Sequence, residues 1–479
     1  MGSSERLGDV ALVGGGMACL AAAASLAKNG HRVTVIEQRD RVGGCFSGFV
    51  NEAGDRFDLA VSHLLGADPD GSLTRLLAEL ELEDVALVPT EVADSVTLSG
   101  RRYLLPTGLD ALEAELGAQM PEQRAELARF LAAMRTFMGG GRDSGAFMMK
   151  NYKRSFEEFC RTSISDDALR NLLAMRIQCD ESSFMVMSGF FTECYGKGMV
   201  YPSGGVAALV DRVRERIEQH GGIVRTGVRA TDLEIRDGQA EAVVLEDGER
   251  VAADVVLHGG SAAALDAILR RHDVNGLDLE GRRVGHSSLS IFLTLEHADL
   301  SRFDGPARHY LTDTTDVFET YRTLETGHLP DEPVIKLHFM TRIDPTLAAP
   351  GRELVRVEVD MYHLDTGHDR AFYNAYAEEI LARVERGVLP ELADSVVYRR
   401  VVTPIDYEQW FGHEGGSATG WAHDVENLMS RRFPQRTPLA NVFVTGQWGE
   451  YGSGLPQLLA SAQKSVALAR RTLTRQECA

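Results

Sequence analysis

The sequence predicts an α/β protein: a Rossmann-like dinucleotide-binding domain carrying an inserted α+β substrate domain. Three observations lead to that class. An apolar strand, Val10-Ala11-Leu12-Val13, runs into Gly14-Gly15-Gly16 and then an Ala-rich helix over 17–29. A second strand over 32–36 ends on Glu37, about 20 residues after the glycines, the spacing of a nucleotide-binding βαβ unit. Near the end of the chain Asn441-Val442-Phe443-Val444 repeats the strand, glycine turn and helix order.

The elements between them are read in order. Gly30 stops the first helix, and the crossover is long enough to make strands 10–13 and 32–36 parallel. From 67 to 199 the spacing of apolar residues is mostly helical, with Leu73, Leu76, Leu77 and Leu80 on one face and an amphipathic run over 122–138. At Ser203-Gly204-Gly205 the nucleotide-domain pattern resumes with a helix over 206–220. Strands 232–235 and 240–245 follow, with Asp237-Gly238 as the hairpin turn, and then a buried strand over 254–257. Strands are expected over 289–295, 334–340 and 354–361, a helix over 369–386, and a last helix over 455–474. The expected division is therefore five pieces. Segments 1–66, 200–264 and 401–479 form the nucleotide domain, 67–199 a helical insertion, and 265–400 a sheet-and-helix substrate domain.

Composition narrows the function classes. The chain has 479 residues, beyond the reach of one core, and a formal charge of −20. Such acidity speaks against a nucleic-acid partner, because phosphate contacts need a basic face. A peripheral membrane contact through a local patch stays open, but no apolar run has the ~20 residues of a transmembrane helix. No charged-then-apolar leader is visible, so a cytoplasmic location is expected. Cys19, Cys45, Cys160, Cys179, Cys194 and Cys478 show no ligand spacing, so reduced thiols and no metal are expected.

The glycine loop carries the clearest chemistry. Gly14 allows the tight turn, Gly16 lets backbone approach a pyrophosphate, and the helix start turns its positive end toward it. Cys19 stands where a third glycine would let helix and strand pack closely. The Glu37 carboxylate is placed to accept from ribose hydroxyls and to disfavour a 2′-phosphate.

The run Val35-Ile36-Glu37-Gln38-Arg39-Asp40-Arg41-Val42-Gly43-Gly44 extends this motif. It resembles the FAD fingerprint of the amine oxidase and phytoene desaturase superfamily, within the two-dinucleotide-binding-domain flavoproteins. The resemblance places Arg39 near the ribose and Gly43 and Gly44 beside the pyrophosphate and flavin. Cys45 replaces the arginine that often follows. Phe57-Asp58-Leu59 and Tyr201-Pro202-Ser203-Gly204-Gly205 are similar to further segments of the desaturase and carotenoid isomerase branch, with Ala60 for a usual Gly and Ser203 for a usual Lys. By the same resemblance Ala230 contacts the adenine side, Gly446 and Gln447 meet the phosphate and ribityl chain, and Gly454-Leu455 aims a helix start at the flavin pyrimidine ring. Gln447 is neutral where an acid is common. A helix dipole at that ring stabilises charge that develops on reduction.

The resemblance implies non-covalent FAD and a desaturase- or isomerase-like oxidoreductase, transferring hydride between flavin and an apolar or polyene-type natural product. A flavin amine or amino-acid oxidase is the runner-up, followed by a non-redox FAD-dependent isomerase or cyclase. Rab-escort and GDP-dissociation-inhibitor proteins share the architecture without redox work, and the intact glycine set argues against them. On the substrate side Met185 and Phe190, from a Met- and Phe-rich stretch, and Trp421 are candidate pocket residues. His63 is the one candidate proton acceptor, with a pKa expected near neutral.

Overall fold

Val10, Ala11 and Leu12 are buried on both faces of their strand, as apolar runs in a parallel sheet must be. In the computed structural model this strand, Asp9–Val13, is the centre of a five-stranded sheet. Residues 7–298, 300, 303, 305–362, 367–427 and 433–476 are described. The strand order is Val442–Val444, Val255–His258, Asp9–Val13, Arg32–Ile36, Ile223–Arg225, and every neighbouring pair is parallel. Helices Met17–Lys28, Val206–Gln219 and Leu455–Gln476 share its apolar core. Ala-rich Met17–Lys28 has almost no exposed face, which suits a helix packed between the sheet and neighbouring helices. This is the Rossmann-like arrangement that the glycine and acid spacing predicts.

A second sheet of seven strands lies apart from it, in the order Val396–Val402, Ser287–Glu296, Arg352–Met361, Ile335–Phe339, Arg308–Thr312, Val92–Leu98, Arg101–Pro106. Its two faces differ sharply. Leu289, Ile291, Leu293, Leu337, Phe339, Val355, Val357 and Val359 pack one face against Tyr373, Ala377, Ile380 and Val384 of helix Arg370–Gly387. Alternate residues point the other way, and there Arg308, His338 and Arg356 stand directly opposite one another across three strands. The next row holds Tyr310, Lys336, Glu358 and Ser290.

Two of these strands correct the helical reading of 67–199. Val92–Leu98 and Arg101–Pro106 form a hairpin on the edge of the large sheet, joined through Ser99 and Gly100, both at positive φ. The hairpin turn is short and has the glycine such turns favour, but the apolar helical pattern on both sides obscured it. Among the described residues no helix is long and apolar enough to cross a membrane. Cys19, Cys45, Cys160, Cys179 and Cys194 are free thiols, and Cys478 lies outside the described residues.

Candidate active site

The carboxyl ends of the central strands open into a cleft of about 230 Å³. Gly14 sits at φ +94°, a left-handed conformation that a side chain would strain, and its N–H donates to the Ile36 carbonyl at 2.8 Å. Gly15 donates to Glu37 Oε2 at 2.7 Å, and the Arg39 N–H to Glu37 Oε1 at 2.9 Å. Burial raises the Glu37 pKa, and these two backbone donors oppose that shift. Gly16 has an ordinary φ of −70° and caps the helix; a Cβ added there would meet nothing within 4 Å. It therefore faces open space at a helix N-terminus, the shape that a pyrophosphate needs.

The second glycine pair closes on the first. Gly43, at φ +113°, donates to the Gly15 carbonyl at 2.7 Å, and a Cβ on Gly44 would lie 3.4 Å from the Gly16 Cα. Ala230, Gly446 and Gln447 line the same cleft, together with Gly14, Gly16, Glu37, Gly43 and Gly44. Cys19 keeps the helix close to the sheet by a different route from a third glycine. The close approach is moved to Gly259 opposite, where a Cβ would fall 2.3 Å from the Cys19 sulfur. Arg39 does not line the cleft. Its guanidinium donates to Ser47 Oγ at 3.0 Å, lies over the Trp410 and Phe411 rings, and borders an adjoining groove.

A second cavity of about 220 Å³ meets the cleft at Cys45, Phe46, Gln447 and Leu458. Gly454 and Leu455, at the start of the last long helix, border this second space. Its floor is the polar face of the seven-stranded sheet, so the walls are far from uniformly apolar. Arg308, Lys336, His338, Arg356, Glu358 and Asp360 all line it.

Of the substrate-side candidates, Phe190 lines the cavity, beneath the Arg176 guanidinium. Met185 borders neither space, because it packs against the helical core. Trp421 also lies outside both, donating its indole N–H to the Trp448 carbonyl at 2.8 Å inside another core. His63 lines the second cavity, but its expected near-neutral pKa is corrected. Burial, then the Arg308 and Arg176 charges, hold it well below the usual histidine range. Its Nδ1 lies 2.6 Å from Arg308 Nη1 and, facing an obligate donor, must accept. His63 is thus a neutral acceptor for Arg308 rather than a poised base.

A glycine-lined cleft at the carboxyl ends of a parallel sheet thus meets a second cavity with a charged floor. The profile described as flavin containing amine oxidoreductase matches residues 17–278, more than half of the chain. The chain belongs to that family. It is 25% identical to a 4,4'-diapolycopene oxygenase from Methylomonas, over 95% of this chain and 96% of that one. It is also 25% identical to a phytoene desaturase from Neurospora crassa, over 97% and 84%. An oxidoreductase from Methanosarcina mazei has the same fold, with a TM-score of 0.67 at 16% identity over 96% and 100% of the two chains.

Family membership implies a flavin, and the residues present fit one. Left-handed glycines at 14, 43, 44 and 446, an open helix start at Gly16 and a buried carboxylate at Glu37 leave room and donors on the same side. Sequence reasoning missed Trp410, His258 and His413 in the cleft wall. Burial holds both histidines at about 4, so they stay neutral near pH 7. Trp410 comes from a short helix, Pro404–Phe411, whose place against the cleft depends on tertiary packing, and His258 ends a strand that reads only as apolar core.

Proposed function

We propose that this chain binds FAD non-covalently in the first cleft and acts by flavin-mediated hydride transfer on a natural-product small molecule held in the second cavity, in the manner of a desaturase or isomerase. Bound FAD supplies a two-electron acceptor; the protein supplies orientation and electrostatics. The observation that carries the reading is the junction of the two spaces at Cys45, Phe46, Gln447 and Leu458. In this reading Gly14, Gly16, Gly43 and Gly44 cradle the pyrophosphate, Glu37 accepts from the ribose, and Ala230 borders the adenosine end. Gly446 and Gln447 border the ribityl chain, while Gly454 and Leu455 present a helix start to the ring. Arg39 acts indirectly, through its backbone N–H on Glu37.

The desaturase and oxygenase relatives support a polyene-type substrate over an amine. The cavity floor weighs against an amine, since a protonated amine would meet Arg308, Lys336 and Arg356. Non-covalent binding is supported by Cys45, the thiol at the junction, whose pKa burial pushes up to about 12. A thiol so rarely ionised is a poor nucleophile. Acid precipitation of the purified protein is expected to release all the yellow colour into the supernatant, with the mass of FAD. Colour retained in the pellet would contradict non-covalent binding, and another mass would contradict FAD.

A further inference from the structure

The floor of the second cavity holds one cation without a matching carboxylate. Arg176 is engaged by Asp94 through two 2.8 Å bonds, from Nε to Oδ2 and from Nη2 to Oδ1. Lys336 lies 2.5 Å from Asp360 and 3.3 Å from Glu358. Arg356 reaches Glu358 at 3.1 Å and donates to the Asp58 and Leu59 carbonyls. The next acid, Asp58, is held by the Tyr201 hydroxyl and by the first N–H groups of helix Val206–Gln219. Arg308, 3% exposed, differs from its neighbours. Its Nη1 donates to neutral acceptors, His63 Nδ1 at 2.6 Å and the Met199 sulfur at 3.0 Å. Among the described residues its one carboxylate neighbour is Asp94 at 3.6 Å from Nε, already shared with Arg176, and Nε makes no hydrogen bond.

Directly across the strand pair from Arg308 stands His338, also 3% exposed, with neither ring nitrogen hydrogen-bonded among the described residues. Burial, then the Arg356 and Arg308 charges, hold its pKa well below the usual range, so it is a neutral imidazole with one N–H to donate. A guanidinium and an imidazole, both buried and both lining a cavity, are costly to seal under a hydrocarbon. They match a planar anion, because a guanidinium fork bonds a carboxylate in two places.

We propose that the substrate carries a carboxylate, seated on Arg308 and His338 on the cavity floor while its unsaturated chain reaches toward the junction with the cleft. This rests on the assignment of the second cavity as the substrate site of a flavoprotein. Arg308 is a single guanidinium whose carboxylate neighbour is already shared with Arg176, which favours a monoanion over a phosphate dianion. The pair also selects within a class of similar carbon skeletons: the acid is bound in preference to its ester.

The test uses the flavin-loaded full chain with sorbate, a short diene carboxylate, against methyl sorbate and inorganic phosphate, read by calorimetry and by perturbation of the flavin absorption band. Sorbate is expected to bind roughly tenfold or more tighter than its ester, the scale of a charge-assisted hydrogen bond. Arg308→Met should weaken sorbate far more than its ester and so remove that preference, and Arg308→Lys should restore part of it. Equal binding of acid and ester, binding of neither, or an equal loss of both in Arg308→Met would overturn the proposal. Phosphate binding tighter than sorbate would overturn the monoanion assignment. Should Arg308→Met fail to fold, the acid–ester comparison in the unaltered protein and Arg308→Lys still decide. Colourless protein would instead sink the flavoprotein reading, so the two failures are distinct.

Discussion

Replacing Asp94 with alanine is expected to destabilise the protein by about 3–5 kcal/mol, the range for removing one partner of a buried ion pair. Asp94 is 0% exposed and lies on strand Val92–Leu98 at the edge of the large sheet. Its carboxylate receives two bonds from Arg176 and one from the Tyr195 hydroxyl at 2.6 Å, and it faces Arg308 at 3.6 Å. Without it two buried guanidinium groups lose their shared counter-charge and cannot lose their protons to compensate. A denaturant titration of the variant should show a much lower midpoint with an unchanged slope. A loss below about 1 kcal/mol would mean that water or a neighbouring acid takes over both arginines.

Glu37→Ala is expected to weaken flavin affinity by roughly tenfold to a hundredfold, from loss of a charge-assisted hydrogen bond of about 1.5–3 kcal/mol. The same change frees the Gly15 and Arg39 N–H groups that the carboxylate now holds. Titration of deflavinated protein with FAD measures this directly, and an unchanged dissociation constant would reduce Glu37 to a structural brace for the loop.

The two sites differ in how far the sequence disclosed them. The cleft was legible because its demands are local: left-handed turns need glycine at 14 and 43, and the acid follows at a fixed distance along one βαβ unit. Cys19 departs from the glycine pattern, and the room it needs is supplied by Gly259, more than 200 residues away. The cavity floor depends on strand order, which no single stretch encodes. Ile335-Lys336-Leu337-His338-Phe339 and Val355-Arg356-Val357-Glu358-Val359-Asp360 alternate strictly, so a charged face was implied. Which charges would meet was not, because Arg308, His338 and Arg356 become neighbours only through antiparallel pairing of three separate strands. The Met- and Phe-rich segment misled for a related reason. Met134, Met175, Met187, Phe184 and Phe191 fill the helical core, where helical spacing also requires them, and only Phe190 reaches the cavity.

The central claim is that the glycine cleft holds the flavin, and Gly16→Val tests it most directly. Gly16 has a backbone conformation open to any residue, and a Cβ added there would meet no protein atom within 4 Å, so a side chain starts into the cleft rather than into the protein. It would occupy the volume assigned to the pyrophosphate. Flavin per chain should be measured in both purified proteins, with melting temperatures compared against deflavinated unaltered protein. The account predicts one FAD per chain in the unaltered protein, and a colourless variant that melts with the deflavinated form. A Gly16→Val protein that retains a full complement of flavin would contradict it.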